Sequence, residues 1–231
     1  MLSRDELVII AERGARLDWL FLLLVALSTV VAGIGLLKDN VAVVIGAMVI
    51  APLLGPNLSA ALGIALGEYA IARSATLAMV TGALLVLVMS FGLGVVWPIE
   101  QPGPEVMSRT MPGLDTPLLA LASGAAAVLS LTTGIHGVLV GVMVAVALLP
   151  PLASCGILAG LGLYDSALWG LVMFGINAAA INFAAHVTLF LMAVKPRTPA
   201  MKAVAAYNTV TGATVWGLIL LGLSLLAVAY R

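Results

Sequence analysis

Residues 41–67, VAVVIGAMVIAPLLGPNLSAALGIALG, form an apolar stretch with no charged residue, interrupted at its midpoint by Pro52, Gly55 and Pro56. At about 1.5 Å per residue, Val41 to Ala51 makes a helix roughly half as long as a bilayer core is thick, and Leu58 to Gly67 makes another. Pro52 and Pro56 have no backbone N–H, and Gly55 takes backbone angles that other residues avoid, so the spacing predicts unwinding near mid-membrane. Carbonyls near Met48 to Ala51 lose their partners there. Beyond the break a second half-helix is expected to start near Asn57, with Asn57 or Ser59 placed to cap it. Hydrocarbon tolerates unsatisfied backbone only where protein or a water-filled cavity supplies partners, so the break is a candidate binding site.

The pattern recurs in residues 138–164, VLVGVMVAVALLPPLASCGILAGLGLY. Gly46/Gly141, Met48/Met143, Leu53/Leu148, Leu54/Leu149, Pro56/Pro151, Ser59/Ser154, Gly67/Gly162 and Tyr69/Tyr164 all pair at a constant offset of 95 residues. Chance similarity between two apolar helices does not produce a shared break, a shared serine and a shared exit Gly-x-Tyr at one offset. The chain therefore reads as a duplication. It predicts a second break at Pro150 and Pro151 and a half-helix starting near Leu152.

Apolar runs of this length belong in a bilayer, and the chain is 63% hydrophobic and 9% charged, with a mean hydropathy of +1.21. Ten basic and ten acidic residues without a basic cluster give no reason to expect nucleic acid. The single cysteine, Cys155, excludes an internal disulfide and sits in an apolar helix as a small packing residue. Ser3 to Glu6 has the spacing of a capping box, and Leu7, Ile10, Ala11 and Leu17 recur at helical intervals among charges. This predicts an amphipathic helix on the membrane surface within residues 1–18. Asp5, Glu6, Glu12 and Asp18 before a membrane-length run argue against a cleaved signal peptide.

An all-α, polytopic membrane fold is expected. Residues 19–97 form one three-segment repeat, residues 98–116 a Pro-rich linker, residues 117–194 the second repeat, and residues 203–230 an extra transmembrane helix carrying Asn208, Thr211 and Val215 along one face. If the broken segments cross the membrane, Arg4, Arg13, Arg16, Arg73, Lys195, Arg197 and Lys202 share one side, against Lys38, Arg109 and Arg231. The positive-inside rule then makes the N-terminus cytoplasmic and the C-terminus external. Re-entrant hairpins would merely exchange Arg73 and Arg109, so charge does not choose between the two topologies. The 27 residues from Val41 to Gly67 are ample to cross, which favours crossing segments and an inverted second repeat.

The strings AVVIGAMVIAPLLGPNLSAALGIALGE, VALLPPLASCGILAGLGLYD and EVMSRTMPG resemble a family of prokaryotic membrane proteins known as domain of unknown function 389, over roughly residues 25 to 197. The resemblance implies a polytopic inner-membrane protein and carries no activity, substrate or catalytic residue. It also marks Asn57 as a departure, because the family pattern has a hydrophobic residue after Gly-Pro. Relatives often carry a soluble extension, and this chain has little room for one, so function is expected in the membrane domain.

Candidate solute-binding residues are Pro52, Gly55, Pro56, Asn57, Ser59, Pro150, Pro151, Ser154, Asn182 and His186. Asn182 and His186 share a helix face, and Asn177 lies about 140° round from Asn182. Polar groups at this depth face protein or a cavity. For His186 the plainer role is an interhelical hydrogen bond, and for His136 an interfacial position. The glycine pairs 63/67, 137/141 and 156/160 permit close helix approach and are assigned to packing. Asp39, Glu68 and Asp165 flank the segments as solvated charges or as gating groups. The spans themselves contain no Asp, Glu, Lys or Arg, which disfavours a pump built on a buried carboxylate relay. No HExxH motif, intramembrane aspartate pair or nucleotide-binding loop occurs, so neither an enzyme nor a cofactor or metal is expected. What remains is a transporter or channel for a small solute or ion, forming a homo-oligomer in the bilayer. The alternative is a non-transporting membrane protein that acts through a partner or lipid.

Overall fold

The computed structural model describes residues 2–97, 101–133, 138–192 and 199–230, with the side chains of 138–146 and 199–203 left aside. His136, Gly137, Lys195, Arg197 and Arg231 lie outside the described residues, which leaves aside the glycine pair 137/141 and the side chain of Lys202. The described residues form helices and no strand. They are α1 (Arg4–Gly14), α2 (Trp19–Leu37), α3 (Val41–Ile50), α4 (Leu54–Leu66), α5 (Tyr69–Val96), α6 (Pro104–Ser108), α7 (Asp115–Thr133), α8 (Val138–Gly160), α9 (Tyr164–Leu191) and α10 (Pro199–Ala229). Among the described residues, α2, α5, α7, α9 and α10 are each long and apolar enough to cross a membrane. The bent pair α3 and α4 qualifies when taken as one span.

Local sequence sets the helix ends. The capping box forms: the Ser3 hydroxyl accepts from the Glu6 amide, and the Glu6 carboxylate accepts from the Ser3 amide at 2.7 Å. Those bonds hold the Glu6 carboxyl below its ordinary range. Asp18 and Asn40 cap α2 and α3 by accepting from Phe21 and Val43. Gly67 and Gly162 close α4 and α8 at φ 76° and 79°, a left-handed turn that favours glycine. The next amides, Glu68 and Leu163, then reach back to the carbonyls of Gly63 (2.7 Å) and Leu158 (2.9 Å). The helices that follow, α5 and α9, each run 28 residues between bounds that differ by the same offset of 95. Helix α10 starts earlier than expected, at Pro199.

Side-chain and backbone contacts fix the direction of each segment. At one end Asp39 accepts from the Glu105 amide of the linker at 2.9 Å. Ser166 and Trp169 of α9 and Tyr230 beyond α10 line a cavity there with Met107 and Thr110. At the other end Arg4 pairs with Glu68 at 2.6 Å, the Leu2 amide donates to Thr132, and Asn208 donates to the Tyr69 hydroxyl. Helices α3 and α4 together therefore run from the linker end to the opposite end, and α8 runs the reverse way. A re-entrant hairpin would return Glu68 to the linker end, whereas it sits against Arg4.

The apolar face of helix α1, with Leu7 and Ala11 buried and Ala15 buried just beyond it, packs on α4. Gly14 makes this possible, because a Cβ there would collide with the Ser59 hydroxyl and the Gly55 carbonyl. The glycines 156 and 160 do pack, as expected. A Cβ on either would strike the α5 backbone, at the Leu87 and Phe91 carbonyls respectively, and Gly94 of α5 meets the Ile157 carbonyl in return. Without a hydrophobic driving force between helices in lipid, such backbone-to-backbone fits supply dispersion contact.

Candidate functional site

The two predicted breaks turn out differently. In the first, α3 ends at Ile50, Ala51 is extended, and the two half-helices meet at a 46° bend. The second is not broken: α8 continues through Pro150 and Pro151. The local chemistry accounts for this. At the offset of 95, Gly55 corresponds to Pro150 and Pro52 to Ala147, so the second segment lacks both the glycine and the wide proline spacing. Two adjacent prolines remove two successive amides, a gap that one helix can bridge if a neighbour serves the freed carbonyls.

Asn177 of α9 is that neighbour. Pro151 cannot donate to the Ala147 carbonyl, and the Asn177 amide nitrogen donates to it instead at 2.7 Å. The position matching Asn177 in the first unit is Gly82, which has no side chain to give.

The remaining candidates fall into three places. Helix α4 begins at Leu54 and has no side-chain cap, so neither Asn57 nor Ser59 caps it and no half-helix starts at Asn57. Nor does one start near Leu152. Asn57 is 1% exposed, and neither of its amide atoms has a partner among the described residues; Ser154, fully buried, also has an unpartnered hydroxyl. Pro56, Pro150 and Pro151 are buried, Pro52 and Gly55 half-buried, and Ser59 lies buried against Gly14. On α9, Asn182 donates to the Ala178 carbonyl and His186 Nδ1 stands 2.8 Å from the Asn182 carbonyl. A carbonyl only accepts, so Nδ1 carries a proton. The unpartnered Nε2 edge packs on Gly212 of α10, where a Cβ would stand 2.6 Å away. Asp39 and Glu68 have protein partners, the Glu105 amide and Arg4.

A cavity of about 470 Å³ opens between the linker, α7, α8 and α9. Arg109 and Asp115 stand at its linker end, Thr116 and Ser123 line α7, and Ala147 with Asn177 lie deepest. Asn177 is 13 residues into a 28-residue helix, near its middle. Thus the proline-freed carbonyl and its asparagine partner lie in the wall of a cavity, while Asn57, Ser154 and His186 line neither this cavity nor the one beside Tyr230. Sequence reasoning passed over Asn177. The signal was present: a proline within a helix frees the carbonyl four residues earlier, and some donor must serve it.

A family model described as a domain of unknown function (DUF389) matches residues 48–183. An uncharacterized protein of Methanocaldococcus jannaschii is 38% identical over 195 residues, which cover 84% of this chain and 61% of that protein. The chain thus spans about three fifths of the length of the curated relative it matches. No solved structure matches the chain.

Proposed function

The chain belongs to the DUF389 family, and from that premise we propose that it is a transporter or channel for a small polar solute or ion, with no enzymatic step. The observation that carries this is the cavity from the linker end to Ala147 and Asn177, at mid-helix depth in a membrane protein. Polar groups held at that depth in an accessible cavity serve passage or binding of something polar. The opposite run of α3/α4 and α8 supports two inverted three-segment units, the arrangement in which many transporters place their site between the repeats. The Lys and Arg distribution supports a cytoplasmic N-terminus, with the linker and C-terminus outside a prokaryotic inner membrane. Helix α10, with few of its residues buried, supports a homo-oligomer in which that helix meets another copy.

Flux into proteoliposomes, screened over small ions and polar solutes, tests the proposal. Saturable uptake that Asn177→Leu abolishes is the expected result. A folded protein that moves nothing yet holds a partner protein or a lipid stoichiometrically would favour the alternative, a non-transporting membrane protein.

A further inference from the structure

We propose that the cavity floored by Ala147 and Asn177, taken as the solute site of the preceding section, selects small monovalent cations that carry N–H donors, such as a protonated primary amine or ammonium. The charges in its wall favour this sign. Arg109 and Asp115 are its charged lining residues, and Arg109 is already engaged by Glu105 at 3.1 Å. Asp115 has no ion-pair partner among the described residues. One cation is offset and one carboxylate has no ion-pair partner among the described residues, so the entrance stays net negative against the smaller partial charge of the α7 end. The positive end of α7 lies beside the same entrance, and Asp115 in its first turn offsets that partial charge.

The hydrogen-bonding groups point the same way. The Ala147 carbonyl has two lone pairs and receives one bond, from Asn177. The Ser123 hydroxyl spends its proton on the Leu119 carbonyl, at 2.8 Å, and offers only lone pairs to the cavity. The Thr116 hydroxyl accepts from the Gly113 amide. At the floor, then, the free lone pair of the Ala147 carbonyl and the Ser123 oxygen act as acceptors for a donor guest, beside the one N–H that Asn177 does not spend on Ala147. The apolar wall of Met111, Leu119, Ala120 and Met173 accommodates a short alkyl group. An anion would meet the Asp115 carboxylate at the entrance and, below it, the Ser123 hydroxyl, whose proton is already spent.

Equilibrium binding of radiolabelled methylammonium and of radiolabelled acetate to the purified full-length chain in mild detergent tests the sign. Methylammonium should bind saturably and acetate should not. Asp115→Asn should weaken methylammonium about fivefold, less at high salt, because one partly screened charge is lost. Asn177→Leu should abolish it. Saturable acetate binding without methylammonium binding would overturn the cation assignment while leaving the site intact, provided Asn177→Leu abolishes it. Methylammonium binding unchanged in Asp115→Asn would also overturn the assignment. If neither probe binds, the cation assignment fails; the site itself fails only if the flux screen also finds no solute whose uptake depends on Asn177.

Discussion

Helix α8 and the pair α3/α4 have similar sequences and differ in one structural respect: the first is continuous and the second is bent by 46°. In α8 the freed Ala147 carbonyl finds Asn177, and the helix is pinned along α5 by Gly156 and Gly160. In α3/α4 the matching donor position is Gly82, the proline spacing is wider, and Gly55 stands between the prolines. A proline motif therefore does not dictate a break. Whether the helix survives depends on what its neighbours offer to the backbone groups that proline orphans.

The strongest way to break the contrast is to unpin α8. Gly156→Leu forces a side chain into Ser90 and the Leu87 carbonyl. It should cost about 3 kcal/mol or more, seen as loss of monodisperse protein in detergent. An unchanged melting temperature would show that the seam with α5 does not hold α8 straight.

Next in size, Asn177→Leu leaves the Ala147 carbonyl orphaned and should cost about 1–3 kcal/mol by thermal or denaturant unfolding. Pro151→Ala restores an amide to that carbonyl. In its background Asn177→Leu should be nearly silent, a coupling that a double-mutant cycle measures directly. Additive effects would mean that Asn177 does not act by serving the proline gap.

In the first unit the sign should reverse. Asn57→Leu replaces an amide that has no partner among the described residues with an apolar group of similar size, and should be neutral or stabilising by about 1 kcal/mol. A loss of stability comparable to that of Asn177→Leu would show that Asn57 holds a partner, such as a buried water.

The smallest effect is expected at the clasp between α1 and the start of α5. Arg4 and Glu68 lie 2.6 Å apart with 21% and 40% of their side chains exposed, so Glu68→Gln should cost less than about 1 kcal/mol and lose its effect in high salt. A large, salt-independent loss would give α1 a greater structural role than its partly exposed ion pair suggests.

The helical class, the spans, the capping box and the glycine seam were legible because each rests on local chemistry: apolar length, a four-residue cap, residues without Cβ. The 95-residue offset was legible too, and the paired turns at Gly67 and Gly162 share it. The continuity of α8 was not, because it depends on Asn177, about 30 residues away in sequence and adjacent only after folding. The wall of the cavity was hidden for the same reason. Ser154 and Asn57 were named from their nearness to proline, yet the cavity wall is set by which face of α9 turns toward α7 and α8, so Asn177 lines it while Asn182 and His186 turn elsewhere. The docking of α1 on α4 was hidden similarly, since an amphipathic helix buries its apolar face equally well on lipid or on protein.

Reaction of engineered cysteines with a small, membrane-impermeant cationic methanethiosulfonate, in sealed cells and a Cys155→Ala background, tests the central claim most directly. Ser123 lies in the cavity wall and Asn57 lies buried just past the bend. Reaction from outside at residue 123, with none at residue 57, is the predicted result. Reaction at residue 57 with none at residue 123 would contradict the account, placing the accessible site at the bend of α3/α4 instead of beside the continuous, asparagine-supported α8.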